Sequence, residues 1–171
     1  ARSVRPEAAG RFESPSVPSG EQSVRLRTGE ASVLVGSVVV PSTGALETRI
    51  AVAGSAAIEG QVLVGGTPAT SSLEASLLLR DVATRRQVAE AEVDAYGRFR
   101  IPFLTPGEYR LVAFGGYFLP EARVVQVGEG ETRDVGPIRC APPRFPVRFL
   151  FPPDVTTPPQ VGVWAQDSSS P

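Results

Sequence analysis

The stretch that most constrains the fold runs from Asp94 to Tyr109 and reads DAYGRFRIPFLTPGEY, with two turn signals around one short alternating strand. The Asp94 side chain can bond to the backbone just downstream in an Asx-turn, and Gly97 can adopt the positive φ that closes such a turn. The residues after Gly97 alternate between polar and apolar, which places Phe99 and Ile101 on one face of a strand. We expect that face to be buried.

The second turn signal is the pair Pro106-Gly107. Proline presets φ at position i+1 of a type II turn, and glycine accepts the positive φ needed at position i+2. The residues that follow alternate again, so that Tyr109 and Leu111 point to the same side. The sequence therefore predicts a second strand whose inward side chains meet Phe99 and Ile101.

Composition and spacing extend this prediction to an all-β fold. The chain contains 17 Gly and 17 Pro, which suits many short strands joined by tight turns. Further strands are predicted at 58–64, 74–80, 86–93, 121–127 and 131–138. The segment 81–94 contains good helix formers, but a helix there would interrupt strands spaced at sandwich intervals, so we assign a turn and a strand. Residues 57–140 then make one complete β-sandwich.

The chain resembles itself when it is shifted by 87 positions. Nine identities fall within the 31 residues 10–40 compared with 97–127, among them Gly10-Arg11-Phe12 on Gly97-Arg98-Phe99 and Gly20-Glu21 on Gly107-Glu108. Residues 1–53 are therefore predicted to be the C-terminal half of a first sandwich repeat, with strands near 10–14, 22–27, 32–40 and 46–52. Residues 141–171 are predicted to be a Pro-rich linker and the opening strands of a third module, at 147–151 and 161–165.

Missing residue types narrow the possible functions. The chain has no His, Lys or Asn, which excludes an imidazole base, a histidine metal ligand and a Schiff-base lysine within it. Its single cysteine, Cys140, is expected to be a half-buried thiol without a catalytic role. The net charge of −1 argues against a nucleic-acid partner, and no apolar run is long enough to insert into a membrane. We predict no catalytic residues, no cofactor and no metal.

The turn and strand pattern over 57–140 resembles the carboxypeptidase regulatory-like family, which is related to transthyretin-like and collagen-adhesin B-type modules. The residues that carry the resemblance are Gly60-Gln61-Val62, Ala75-Ser76-Leu77-Leu78-Leu79, Asp94 to Ile101 and Leu104 to Leu111. It implies an all-β, transthyretin-like sandwich of seven or eight strands in tandem copies. It also implies a bacterial secreted or cell-envelope protein, of which we expect this chain to be a part.

Function is less constrained than fold, because the shared pattern specifies turns and core. The first hypothesis is a non-catalytic stalk, spacer or interaction module that contacts neighbouring modules or another surface protein. The alternatives are a carbohydrate-binding module of starch-binding-like fold, or an accessory domain of a peptidase or outer-membrane receptor. The aromatic residues that could stack on a sugar are Tyr96, Tyr117 and Phe118. Glu90 and Glu92 are expected to lie on a solvated strand face.

Overall fold

The computed structural model describes residue 14 and residues 17–69, 75–116 and 118–142. These residues form ten β-strands and no helix. The strands are β1 (Gly20–Thr28), β2 (Ala31–Val40), β3 (Ala56–Val64), β4 (Thr67–Pro68), β5 (Ser76–Asp81), β6 (Gln87–Glu92), β7 (Arg98–Leu104), β8 (Gly107–Phe114), β9 (Glu121–Val127) and β10 (Thr132–Cys140). The prediction of an all-β chain is confirmed.

The strands form two sheets. The larger sheet has the order β1-β2-β6-β5-β8-β9, and every pair in it is antiparallel. In the smaller sheet β3 is central: β10 pairs with it in parallel, and β7 and β4 pair with it in antiparallel fashion. Residues 56–140 thus contribute eight strands, β3 to β10, to a two-sheet sandwich.

One hydrophobic core lies between the sheets. Alternate residues of each strand face it, as period-2 geometry requires. Its largest fully buried side chains are Ile58, Leu77, Leu79, Ile101, Leu111, Ile138, Val33, Val62 and Val127. Phe99 and Tyr109 are also buried, so the structure places Phe99, Ile101, Tyr109 and Leu111 together in this core.

The turn between β6 and β7 is built around Asp94. Its Oδ1 accepts hydrogen bonds from the backbone N–H groups of Tyr96 and Arg98, each at 2.8 Å. Gly97 has φ +72°, and a Cβ there would lie 2.7 Å from the carbonyl oxygen of Val62. Gly97 is therefore required both by its own conformation and by the close approach of β3.

The turn between β7 and β8 differs from the predicted one. Gly107 does not have a positive φ, so Pro106-Gly107 is not a type II turn, and the left-handed residue is Phe103 with φ +58°. Gly107 instead begins β8, opposite Val127. The Tyr109 hydroxyl closes this corner by donating to the Thr105 carbonyl oxygen at 2.6 Å. The prediction of a glycine-dependent bend at Gly107 is wrong, because a side-chain hydrogen bond and a strained Phe103 turn the chain instead.

The first half of the chain contributes a single hairpin. β1 and β2 fall on the predicted strands at 22–27 and 32–40, but residues 45–55 form no strand, so the strand predicted at 46–52 is wrong. β10 is held as a strand by its pairing with β3, and no described strand pairs with residues 45–55. Residue 14 is not in a strand. The rest of the strand predicted at 10–14 lies outside the described residues, and so do the strands predicted at 147–151 and 161–165.

The β1-β2 hairpin is part of the larger sheet. Ala31, Ser32 and Val33 of β2 pair with Ala91, Glu90 and Ala89 of β6, and Ala31 and Val33 are buried in the common core. β2 continues past this junction, so the far half of the hairpin extends beyond β6.

From Gly20 to Val24, the β1-β2 hairpin has the same register as the β8-β9 hairpin. Gly20 lies opposite Val40, and Gly107 lies opposite Val127, which are the same positions plus 87. The correspondence continues through Val24 opposite Gly36 and is then broken by a bulge at Val24/Arg25.

Candidate functional site

The candidate site is the outer face of the smaller sheet, where β3 and β7 lie side by side. Ile58 and Val62 of β3 face the core, so Glu59 and Gln61 face outward between them. On β7, Arg98 lies opposite Gln61 and Arg100 lies opposite Glu59. The result is a small array of polar side chains on a rigid pair of strands.

These side chains contact one another across the strands. Arg100 Nη1 lies 3.1 Å from Glu59 Oε2. Gln61 Nε2 donates to the carbonyl oxygen of Tyr96 at 2.9 Å, and the Arg98 guanidinium lies 5.9 Å from the centre of the Tyr96 ring. Tyr96, Arg98 and Arg100 are exposed, and Glu59 and Gln61 are half-buried. Because water still reaches these groups, each contact adds little to stability and the groups remain accessible to a partner.

Loops from both sheets surround this array, so that it lies in an open groove of about 920 Å³. The turn between β1 and β2 forms one wall, and the end of β6 with the following loop forms another, joined by a hydrogen bond from the Glu92 N–H to the Glu30 carbonyl oxygen. The bulged part of β10 closes the far side. The lining residues are Thr28, Gly29, Glu30, Glu59, Gly60, Gln61, Glu92, Asp94, Arg98, Phe99, Arg100, Pro102, Phe103, Asp134, Gly136 and Pro137.

The groove is acidic on balance, with five carboxylates against two guanidinium groups. Two of the carboxylates already accept hydrogen bonds from backbone N–H groups of their own turns. Asp94 does so as described above, and Asp134 Oδ1 accepts from the Gly136 N–H at 2.7 Å. Among the residues that the structure describes, no three His, Cys, Asp or Glu side chains are grouped to hold a metal ion. The arrangement suits contact with a polar or basic surface.

The predicted ligand-binding aromatics do not come together. Tyr96 is 68% exposed and borders the groove through Gln61 and Arg98, whereas Phe118 is 5% exposed and packs in the core. Tyr117 lies outside the described residues. The Tyr96 ring can therefore stack on a ligand, whereas the buried ring of Phe118 cannot. Glu90 and Glu92 are both exposed.

Sequence reasoning missed the polar array at Glu59, Gln61, Arg98 and Arg100. The alternation within each strand indicates that these residues point outward. What it does not indicate is that β7 pairs with β3, or that their register brings Glu59 next to Arg100. Phe103 was also missed, because a bulky residue at positive φ has no sequence signal.

Among the residues that the structure describes, the pKa values of Asp81 and Cys140 depart from the ordinary values. The Asp81 carboxylate accepts hydrogen bonds from the backbone N–H and the hydroxyl of Thr84, at 2.6 and 2.8 Å, and these lower its pKa. Burial raises the pKa of Cys140, and the nearby charge of Glu121 adds to the effect. Cys140 is buried at the end of β10, so the prediction of a half-buried thiol is wrong, and this burial does not favour a reactive thiolate.

In the part of the chain that the structure describes, no helix has the length and apolarity to span a bilayer.

Comparison with known protein families finds no match, and none of the curated proteins matches the chain. Among solved structures, the chain is similar to a chain of a type II cohesin–X–dockerin complex from Acetivibrio cellulolyticus. The identity is 15%, the match covers 50% of this chain and 56% of that one, and the TM-score is 0.34. The chain thus spans little more than half the length of that structure.

Proposed function

We propose that this chain is a non-catalytic structural and interaction module, built from tandem copies of a transthyretin-like sandwich of the carboxypeptidase regulatory-like kind. In this proposal the β1-β2 hairpin belongs to one copy, and residues 57–140 are the next. The observation that carries the proposal is the shared register of the hairpins β1-β2 and β8-β9, since both the nine identities and the strand pairing follow the same shift of 87 residues.

The junction between the two copies supports a spacer role. β2 pairs directly with β6, and Ala31 and Val33 enter the core of the following copy. A joint made of backbone hydrogen bonds and buried side chains resists bending far better than a flexible linker does. Successive copies joined in this way form a stiff rod, which is what a stalk in a secreted or cell-envelope protein requires.

The proposed division can be tested by expressing residues 54–142 alone. We expect an all-β circular dichroism spectrum and one cooperative thermal transition, because these residues hold eight strands and nearly all of the core. Residues 14–53 expressed alone should show no such transition, since an isolated hairpin is marginal in water. A non-cooperative melt of residues 54–142 would contradict the proposal.

The second candidate is a carbohydrate-binding module. The observation in its favour is the exposed Tyr96 ring beside the polar groove, since an aromatic face flanked by hydrogen-bonding groups is a common sugar platform. A glycan array separates the two candidates. Specific binding that is lost in Tyr96→Ala and kept in Tyr96→Phe would favour carbohydrate, and an array without binding would favour the spacer.

A further inference from the structure

The two sheets have four edges, and three of them carry features that block further strand pairing. On β9, Arg123 points inward and donates to the carbonyl oxygens of Val135 and Pro137 at 3.0 and 2.8 Å, tying this edge to β10. β10 has a bulge and a proline, Pro137, and β7 has Pro102 next to the left-handed Phe103. Inward charges, bulges and prolines are the usual means by which an edge avoids pairing.

The fourth edge, β1, has none of these features. It is nine residues long, it contains no proline, and its only residue with positive φ is Gly20 at its start. The bulge in the β1-β2 hairpin adds its extra residue, Val35, to β2 and leaves β1 regular. The inward positions of β1 are half-buried, and no described strand pairs with its outer edge. β1 is therefore an edge able to accept another strand.

The register of the two hairpins indicates what this edge accepts. β1 holds the place that β8 holds in the following copy, and the other edge of β8 pairs with β5, from Tyr109 opposite Asp81 to Phe114 opposite Ser76. Subtracting 87 from Tyr109 and Phe114 gives Gln22 and Arg27. We propose that the edge of β1 from Gln22 to Arg27 accepts an antiparallel strand of the β5 pattern, supplied by the first half of the copy to which β1 and β2 belong. This inference rests on the proposed tandem copies.

The side chains of β1 fit such a partner. In the complete sandwich Leu79 lies opposite Leu111 and Leu77 lies opposite Ala113; the matching positions on β1 are Val24 and Leu26. Both are half-buried. An incoming strand with two leucines at these positions would complete the apolar face of the hairpin.

The charges also agree. Within the sandwich Arg80 of β5 lies opposite Arg110, a like-charged pair. The position on β1 that matches Arg110 is Ser23, with Glu21 two residues away on the same exposed face. An arginine at the Arg80 position of the incoming strand would therefore lie opposite a neutral serine with a carboxylate nearby, and not opposite another arginine.

The test is to join a second copy of the sequence of residues 75–81 to the N-terminus of the full chain through a flexible Gly/Ser tether of about 20 residues. An extended tether of this length spans about 60 Å, and the fused strand has an effective concentration on the order of millimolar. Hydrogen exchange measured by NMR should show at least about tenfold slower exchange for the amides of 22–27 that do not face β2. The matched control is the same fusion with the two inward leucines of the added strand changed to serine.

Protection that appears with the leucine strand and is absent with the serine strand supports the proposal, and the amides of β9 should remain unchanged in both. Equal protection by both strands, or by neither, overturns it. Concentration-dependent protection of β1 in the unfused chain, with dimers in sedimentation, would also overturn it, since a second copy would then hold the edge. The melt of residues 54–142 does not involve β1, so it tests the sandwich module independently of this edge.

Discussion

At the scale of single residues, Gly97 lies both in the turn before β7 and against the neighbouring strand β3. It combines a left-handed φ with a position against the carbonyl oxygen of Val62 and the backbone of Ala69. In addition, the Val62 N–H donates to the Gly97 carbonyl oxygen at 2.8 Å. A side chain at this position would therefore disturb both the turn and the junction of β3 with β7.

We expect Gly97→Ala to lower the free energy of unfolding by more than Gly130→Ala does. Gly130 also has a positive φ, +67°, but a Cβ there meets nothing within 4 Å. Gly130→Ala should therefore cost only the conformational term of about 1–2 kcal/mol, while Gly97→Ala should exceed it because of the added clash. Chemical denaturation of both variants measures the difference, and equal losses would contradict the packing argument.

We expect the buried thiol of Cys140 to make the folded chain less stable at alkaline pH. Burial raises its pKa in the folded chain above the ordinary value of 9.0, so its contribution is fully present below pH 9.0 and declines as the pH rises through the folded pKa. Denaturation at several pH values should show this decline in the wild-type chain. The Cys140→Ala variant should be less stable at neutral pH but should show a smaller decline above pH 9.0. A decline of equal size in both would contradict the assignment to this thiol.

At the scale of elements, the corner between β7 and β8 depends on Tyr109. Its ring is buried, and its hydroxyl reaches back across Pro106-Gly107 to the Thr105 carbonyl oxygen, with Thr105 Oγ1 at 3.0 Å. The inward direction of the ring follows from the alternation of β8. The hydrogen bond does not, because it depends on the path of the corner.

We expect Tyr109→Phe to destabilise the sandwich by about 1–2 kcal/mol, which is the range for removing one partner of a part-buried hydrogen bond. Tyr96→Phe is the matched control, since Tyr96 is exposed and its hydroxyl makes no hydrogen bond to a described residue. Thermal denaturation should separate the two. A loss in Tyr96→Phe as large as that in Tyr109→Phe would contradict the role of this corner.

The sequence predicted elements well where local chemistry decides them. Alternation indicated most of the strands, and the Asp94 turn followed from side-chain hydrogen bonding alone. Long-range pairing was not accessible: nothing in the residues of β10 indicates that it runs parallel to β3. The strand predicted at 46–52 failed for the same reason, because a strand needs a pairing partner and no described strand lies beside these residues.

The candidate site was predictable only in part for a related reason. The outward direction of four side chains followed from the alternation of the predicted strands: Glu59, Gln61, Arg98 and Arg100. Their meeting depends on the register of β3 with β7. The aromatic residues chosen from the sequence were separated by burial, since Phe118 fills core space and Tyr96 does not.

At the scale of the whole molecule, the hairpin and the sandwich share one core. Val33 of β2 is 2% exposed and lies opposite Ala89 of β6, so it belongs to the sandwich as much as to its own hairpin. If the two parts form one cooperative unit, weakening this contact should weaken the whole.

We expect Val33→Ala to lower the single unfolding midpoint, at a cost of about 1–3 kcal/mol for the lost apolar contact and the cavity. Val39→Ala is the matched control on the same strand, because Val39 is 72% exposed and its truncation should change stability by about 0.5 kcal/mol or less. Fluorescence and circular dichroism should give the same midpoint for Val33→Ala. Two separate transitions would mean that the hairpin unfolds independently.

The parallel pairing of β3 with β10 determines how the sandwich responds to mechanical force. Ala57 at the beginning of β3 lies opposite Thr132, and Val64 at its end lies opposite Cys140. When the chain is pulled from both sides of the sandwich, β3 is drawn by its beginning and β10 by its end, so the two strands are sheared along their length. All of the hydrogen bonds between them then bear the load together, and they do not open one at a time as in an unzipping hairpin. A sandwich closed in this way resists extension, which is the property that a load-bearing segment between two anchored parts of a protein needs.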